Sequence, residues 1–342
     1  MQNLAVQEQS TEDGEQQLTF SATGSEYFRI LIVNVLLTIV TLGIYSAWAK
    51  VRSNQYFYSS ARLAGSSFEY HGNPKAILKG RIAALILVGG YQAAVRTSIT
   101  AALVMAAVMA CVMPYLVWKS LQFKLHNTSY RGIRFGFDGS IGKAYLYYLL
   151  MPLLAATVVM LPWVHQRIKK FQHTESRFGA AHFSFDAPVG RFYAIYGKML
   201  AAYIVGIIAI TVFGVVAAIG SHAGAMIMIP IFVYIVMFAV YPLFFTMFQK
   251  LVWNHTQLGN HWFRCNMNWK SLTWIYFTNL LGMVVTLGLY TPFAKVRALK
   301  YRLESMYLDV NGSLDDFVAG EHANVGAAGE GMADFMDFDL SL

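Results

Sequence analysis

The chain has 342 residues, of which 56% are hydrophobic and only 13% are charged, so it carries more apolar side chains than one soluble core can bury. Its mean hydropathy of +0.46 excludes an ordinary soluble domain and predicts a multi-pass membrane protein. The charge is uneven, because residues 27–302 carry +22 while both tails are acidic. Basic residues beside apolar segments favour anionic lipid headgroups as partners and give no reason to expect nucleic acid.

Residues 1–26 form an acidic N-terminal tail that resembles neither a signal peptide nor a transit peptide. A repeat-built transmembrane domain is predicted over 27–302, since a helix needs about 20 apolar residues to cross the bilayer. Residues 303–342 are predicted to form an acidic, largely disordered C-terminal tail. Seven predicted spans lie near 28–46, 80–95, 97–118, 143–163, 192–219, 224–247 and 272–291.

Alternating apolar residues recur between the predicted spans and predict short strands in the connectors. The pairs are Phe68/Tyr70, Phe135/Phe137, Phe183/Phe185 and Phe263/Cys265, and Leu18/Phe20 takes the same position ahead of the first span. The predicted fold class is therefore an all-α polytopic membrane protein with about seven transmembrane helices and short β-strand elements in the connectors. Between successive strands, one predicted span alternates with two. One connection of each kind therefore contains three spans, and this odd number predicts an inverted-topology repeat, as in many secondary transporters.

The positive-inside rule leaves two arrangements of the connectors open. With the N-terminus outside, the inner connectors hold 15 basic residues and the outer ones eight, which is weak agreement with the rule. The alternative keeps every basic connector cytoplasmic and requires 143–163 and 272–291 to be re-entrant, with breaks at Pro152 and Gly282. The side on which the connector 165–191 lies decides between them.

The first and last spans share polar as well as apolar residues at a constant offset of 245 positions. The matched pairs are Asn34/Asn279, Thr41/Thr286, Gly43/Gly288, Tyr45/Tyr290, Lys50/Lys295 and Arg52/Arg297. Further motif residues are Phe20, Gly24, Glu26, Tyr27, Phe28, Gly65, Phe68 and Tyr70, with the segments 131–137 and 253–263. Over most of 18–302 this pattern resembles the YjgN family of bacterial inner-membrane proteins. The resemblance implies a polytopic protein of the bacterial inner membrane and brings no known activity or site residues.

Aromatic and basic residues at the ends of the first and last spans are typical of the membrane interface, where rings anchor and long basic side chains reach outward. Interface anchoring or lipid-headgroup binding is expected of Tyr45, Trp48, Lys50, Arg52, Tyr290, Lys295 and Arg297. Four polar residues are candidates for a solute path or for helix packing: Asn34, Asn279, Arg96 and Lys198. An Asn in an apolar helix more often packs helices together, and both basic residues lie close enough to span ends to reach water.

No predicted span contains Asp or Glu, which argues against proton-coupled transport and cation conduction. The sequence has no catalytic motif and no metal-binding spacing, so we expect no enzyme and no cofactor. We expect a transporter-like protein for an anionic or lipid-like solute, or alternatively an envelope scaffold that binds anionic lipids or partner proteins. A homo-oligomer through small-residue helix faces also fits the sequence. A transporter should have a polar cavity approached by Asn34, Asn279 or Arg96, and a scaffold a dry core.

Overall fold

The computed structural model describes residues 14–220 and 222–325, and it is organised around one antiparallel sheet. The N-terminal strand has two halves, β1 (Gly14–Gln17) and β2 (Thr19–Phe20). Eight strands form four hairpins, and β11 (Met306–Val310) follows them. The hairpin strands are β3 (Ala61–Leu63), β4 (Ser66–Tyr70), β5 (Thr128–Tyr130), β6 (Ile133–Phe137), β7 (Ser176–Phe178), β8 (Ala181–Phe185), β9 (Thr256–Leu258) and β10 (His261–Cys265). They include all four apolar pairs that predicted strands.

The N-terminal strand closes the sheet into a ring. Its first half, β1, pairs with β11, and its second half, β2, pairs with β3. Between the halves, the Leu18 amide donates to the Met306 carbonyl oxygen at 3.0 Å. The hairpins also pair with one another in sequence order, so backbone groups that would form sheet edges are hydrogen-bonded across the closure.

Helices connect each hairpin to the next. They are α1 (Gly24–Val40), α2 (Ser46–Ser60), α3 (Pro74–Thr97), α4 (Ile99–His126), α5 (Ile141–Tyr145), α6 (Met151–Ala155), α7 (Leu161–Thr174), α8 (Val189–Gly220), α9 (His222–Trp253), α10 (Trp269–Val285) and α11 (Thr291–Glu304), with a π-helical turn at Leu146–Leu150. A last helix, α12, covers 314–325. Because tight turns join the strands within each hairpin, the connecting helices all leave from the opposite end of the ring, which we call the helix end.

Among the described residues, four helices are long and apolar enough to cross a membrane: α3, α4, and the segments Val189–Val216 of α8 and Val236–Trp253 of α9. They form two pairs that leave the ring and return to it. The predicted all-α fold with about seven spans is therefore wrong, and so is the inverted repeat built on it. An odd number of crossings would put successive strands on opposite sides of the membrane, whereas these strands pair within one sheet.

The other three helical connections, α1–α2, α5–α7 and α10–α11, turn back at exposed apolar tips, and we call them the helical hairpins. Leu42 and Leu287 are 95% and 94% exposed between α1 and α2 and between α10 and α11, and Val158 is 72% exposed ahead of α7. A helix of 17 residues such as α1 is about 26 Å long, less than the ~30 Å hydrocarbon layer. These features favour re-entrant hairpins at all three connections, whereas the alternative with every basic connector cytoplasmic made 143–163 and 272–291 re-entrant and kept 28–46 as a crossing span. The chain reverses at 156–160 and at 286–290, a few residues beyond Pro152 and Gly282.

The reversal after α1 satisfies its own backbone, as lipid requires. The Thr41 hydroxyl donates to the Leu37 carbonyl at 2.7 Å and accepts from the Tyr45 amide at 2.9 Å. Gly43 has φ +92°, which favours glycine, and its amide donates to the Thr38 carbonyl at 2.7 Å. Equivalent bonds form at 286–290. The matched Thr, Gly and Tyr positions of the two segments are therefore residues of the turn that reverses the chain.

We expect Thr41→Val to destabilise the protein, since valine has the same shape but leaves the Tyr45 amide without its acceptor. An unpaired buried donor costs about 1–3 kcal/mol, so the melting temperature in detergent should fall. Thr41→Ser keeps the hydroxyl and should stay close to the parent protein. Equal melting temperatures for the valine and serine variants would contradict this role.

The C-terminal segment is folded further than predicted. Within 303–342, β11 completes the ring and α12 packs Leu314 and Val318 against the apolar ring interior. Burial of these side chains orders a stretch whose acidic composition alone predicts disorder. In the sequence, Phe335, Met336 and Phe338 stand among aspartates as a candidate binding motif, which lies outside the described residues.

Candidate functional site

A cavity of about 860 Å³ lies between α7, α8 and α9, with α4 at one end. We call it the α7–α9 groove. Its walls along the membrane-spanning helices are apolar, and its basic residues and histidines lie at the helix end of the ring. The apolar wall includes Met199, Gly206, Ile210, Val233, Val240 and Phe244, and the polar end includes Lys124, His165, Lys169, His173 and Gln249.

One face of α7 supplies most of this polar end. His165, Lys169 and His173 follow one another at intervals of four residues, so they project from the same face. The Nδ1 atom of His165 lies 3.2 Å from the Tyr196 hydroxyl, and that of His173 lies 3.3 Å from the Thr256 hydroxyl. These contacts bind α7 to α8 and to strand β9 while keeping its polar face toward the groove.

Burial controls the charge of this end. It lowers the pKa of His165 and of His173 to about 4, and the charge of Lys169 contributes to both shifts, so both imidazoles are neutral at pH 7. Burial and the neighbouring Lys124 also lower the pKa of the Lys169 ammonium. Among the described residues, no carboxylate lines the groove or forms an ion pair with Lys124 or Lys169. Two nearby positive charges therefore lack a counter-ion.

A second cavity of about 320 Å³ fills the inside of the ring, and we call it the ring chamber. It is lined mainly by aromatic and aliphatic side chains, including Phe68, Phe135, Phe183, Leu258 and Phe263. Gln249 and Trp253 line both the chamber and the α7–α9 groove. The two cavities therefore adjoin, and these two side chains stand at the boundary.

Helix α12 closes the far mouth of the chamber. Leu314, Phe317 and Val318 contribute to the chamber wall. The buried Glu321 carboxylate accepts hydrogen bonds from the amides of Ala180 and Ala181, the latter at 3.0 Å, and so ties α12 to the turn between β7 and β8. The chamber thus adjoins the membrane-facing groove at one end and is capped by α12 at the other.

The residues predicted to line a solute path do not surround one cavity. Asn34 and Asn279 are buried, and each Nδ2 donates across its own hairpin, to the carbonyl oxygens of Ala49 (3.5 Å) and Ala294 (3.0 Å). Arg96 is exposed where α3 gives way to α4, and Lys198 is exposed on α8. None of the four lines the α7–α9 groove.

The predicted interface residues lie at the start of or within α2 and α11, the second helices of the first and last helical hairpins. Tyr45 stacks on Trp48 at 6.3 Å between ring centroids, and Tyr290 stacks on Phe293 at 5.6 Å. Arg297 donates to the Thr278 hydroxyl at 2.7 Å, and Arg52 is exposed. Lys50 and Lys295 meet at a separate cavity together with Asn34.

The groove residues themselves were missed from the sequence. Trp253 stood out only as the first residue of the matched segment 253–263, and neither His165 nor His173 was a candidate site residue. The spacing of His165, Lys169 and His173 at intervals of four was the available signal, because it places a basic residue between two histidines on one helix face. Nothing in the sequence shows that this face meets α8 and α9.

Comparison with known proteins places the chain among bacterial membrane proteins. Residues 15–335 match the model of a family described as bacterial protein of unknown function, DUF898. Part of the chain is similar to the inner membrane protein YjgN, with 29% identity over 146 residues in Salmonella typhimurium and 32% over 144 residues in Escherichia coli O157:H7. The matches cover 42% and 40% of this chain but only 37% and 35% of those proteins, so the chain spans little more than a third of the length of these curated relatives. No solved structure matches it.

Proposed function

Because the chain belongs to the DUF898 family of bacterial proteins of unknown function and is an inner-membrane protein, we propose that it binds an anionic, lipid-like ligand in the α7–α9 groove. The observation that carries the proposal is the pairing of Lys124 and Lys169, without a counter-ion, at one end of an apolar, membrane-facing cavity. An amphiphile with one anionic end matches this division. We propose binding and transfer without covalent chemistry, which is a non-enzymatic role.

The dimensions support a ligand with a long apolar part. From Met199 to Ile210 the α8 wall extends about 17 Å along the helix axis. An acyl chain packs against this apolar wall through van der Waals contacts, while a phosphate at Lys124 and Lys169 compensates charges that repel one another. The neutral imidazoles of His165 and His173 add hydrogen-bonding groups without adding charge.

The ring chamber supports a transporter-like role, because it offers a second apolar space next to the α7–α9 groove. Its apolar wall suits a hydrocarbon chain, and Gln249 and Trp253 at the boundary are positioned to separate it from the groove. We propose that an apolar part of the ligand passes this boundary. The alternative, a scaffold that only binds anionic lipid at its surface, does not use the chamber.

Matched contacts in the first and last hairpins support an internal repeat within this design. The Tyr56 hydroxyl accepts from the Thr23 amide at 2.9 Å, and the Tyr301 hydroxyl accepts from the Asn268 amide at 2.7 Å. Both pairs are related by the same offset of 245 positions. We infer that the two hairpins are copies of one unit arranged around the ring, with the same orientation in the membrane.

Lipid binding in the groove can be measured through Trp253. Phosphatidylcholine vesicles containing phosphatidylglycerol with brominated acyl chains should quench its fluorescence, and Trp253→Phe should remove that part of the signal. Lys124→Gln with Lys169→Gln should weaken quenching by at least about tenfold, since each basic residue at an anionic surface contributes about 1 kcal/mol. Ala202→Phe, which fills the groove, should weaken it as well.

The matched control is Lys198→Gln, which removes one exposed positive charge from α8 outside the groove and should leave quenching unchanged. Equal quenching by brominated phosphatidylcholine and phosphatidylglycerol would overturn the anionic specificity. In the same vesicles, wild-type protein should speed the exchange of fluorescent phosphatidylglycerol between leaflets. Binding without exchange would favour the scaffold.

A further inference from the structure

A separate cavity of about 310 Å³ lies where α1, α2, α3 and α11 meet, and it shares no lining residue with the α7–α9 groove. We call it the hairpin pocket. Three basic residues from three helices reach it: Lys50 of α2, Arg81 of α3 and Lys295 of α11. No acidic residue is among its described lining residues. The tertiary fold therefore gathers positive charge that the sequence distributes over almost 250 positions.

Two of these cations are held in place by neighbouring side chains. The Lys295 ammonium donates to the Tyr27 hydroxyl at 3.0 Å and lies 4.8 Å from the centroid of the Phe57 ring. Arg81 donates through Nη1 to the Ser46 hydroxyl. In the described part of the chain, none of the three basic residues forms an ion pair with a carboxylate. The charges are positioned in advance and uncompensated, as an anion site requires.

An independent feature of the pocket is the Asn34 side chain. It is only 2% exposed, and its Oδ1 atom has no hydrogen-bond partner, although Nδ2 reaches the Ala49 carbonyl. A buried acceptor without a donor is unfavourable, so a ligand hydroxyl that reached this atom on binding would remove the penalty. Thr38, Ser46 and Ser53 supply further hydroxyl groups around the same cavity.

We infer that the hairpin pocket binds a glycerol-phosphate group, with the phosphate between Lys50, Arg81 and Lys295 and a glycerol hydroxyl donating to Asn34 Oδ1. The three cations account for the phosphate, and the unpaired amide oxygen accounts for the hydroxyl. A lipid headgroup and a soluble glycerol phosphate share this chemistry. The inference does not depend on the α7–α9 groove, because the two cavities have different walls.

The test uses the full chain carrying Lys124→Gln and Lys169→Gln, so that the groove does not contribute. Retention of phosphatidylglycerol from mixed phosphatidylcholine vesicles is measured by native mass spectrometry. Adding Arg81→Gln and Lys295→Gln should reduce retention about 25-fold. Asn34→Ala should reduce the preference for phosphatidylglycerol over phosphatidic acid, which lacks the glycerol hydroxyl, about three- to tenfold.

The chain provides a matched control in Asn279→Ala. Asn279 makes the same bond across its hairpin and has the same unpaired Oδ1, but it does not line the pocket. The Asn279→Ala variant should lower thermal stability as Asn34→Ala does, and it should leave the preference for phosphatidylglycerol intact. Competition by glycerol 3-phosphate but not by inorganic phosphate would identify a soluble ligand. If neither compound competes, the ligand is a lipid headgroup. Unchanged retention in the Arg81 and Lys295 variant, or an equal change of preference in both Asn variants, would overturn the inference.

Discussion

In intact cells, single cysteines at Arg62 and Ala180 should both be protected from a membrane-impermeant thiol reagent, and one at Thr97 should react. Arg62 lies in β3 and Ala180 in the turn between β7 and β8, so both belong to the ring. Thr97 ends α3, about 36 Å from its start, which is enough to cross the bilayer. The background for all three should lack Cys111 and Cys265.

The absolute orientation follows from the positive-inside rule. With the ring on one side of the membrane, Arg96 is the basic residue at the far tip of α3, while the connectors at the helix end hold basic residues from every helix pair. The cytoplasm is therefore the expected side of the ring. Permeabilised cells supply the control, since the Arg62 and Ala180 cysteines should then be labelled. Labelling of Ala180 but not of Arg62 from outside would contradict the closed ring.

The failure of the seven-span prediction has a definite physical cause. Hydropathy records how long an apolar stretch is but not whether the chain reverses within it. The reversal after Thr41 is made of Leu42, Gly43 and Ile44, so it extends the apolar stretch instead of interrupting it. Its polar contacts come from one threonine hydroxyl and the backbone. The Thr-Leu-Gly pattern was visible as a repeated motif, but its meaning as a turn was not.

The ring could be predicted only in part for a similar reason. Alternating pairs such as Phe68/Tyr70 locate the strands, because alternation is a local property. Pairing partners are not local, and closure joins β1 to β11 across almost 300 positions. The hairpin pocket could not be predicted for the same reason. Lys50 and Lys295 were expected at the interface, but Arg81 joins them only in the folded chain. Residue type and spacing only predict which side chains belong at the membrane surface, and tertiary packing decides which of them meet.

Lowering the pH from 7 to 4 should destabilise the ligand-free protein through His165 and His173. Burial lowers the pKa of each to about 4 in the folded chain, whereas an unfolded histidine titrates near 6.5. Between these values the unfolded chain binds protons that the folded chain does not, so stability is complete above about pH 6.5 and falls as the pH drops. Each histidine should contribute a loss of about 3 kcal/mol at pH 4.

The variant His165→Phe with His173→Phe should have a flatter profile of unfolding free energy against pH, because both rings lie among aromatic side chains and phenylalanine does not titrate. Unfolding by denaturant in detergent at several pH values measures the difference. If the double variant lost as much stability on acidification as the parent, burial of these histidines would not be the cause. A bound anion beside Lys169 favours the protonated imidazoles, so saturating phosphatidylglycerol should reduce the acid sensitivity of the parent and leave the double variant unaffected.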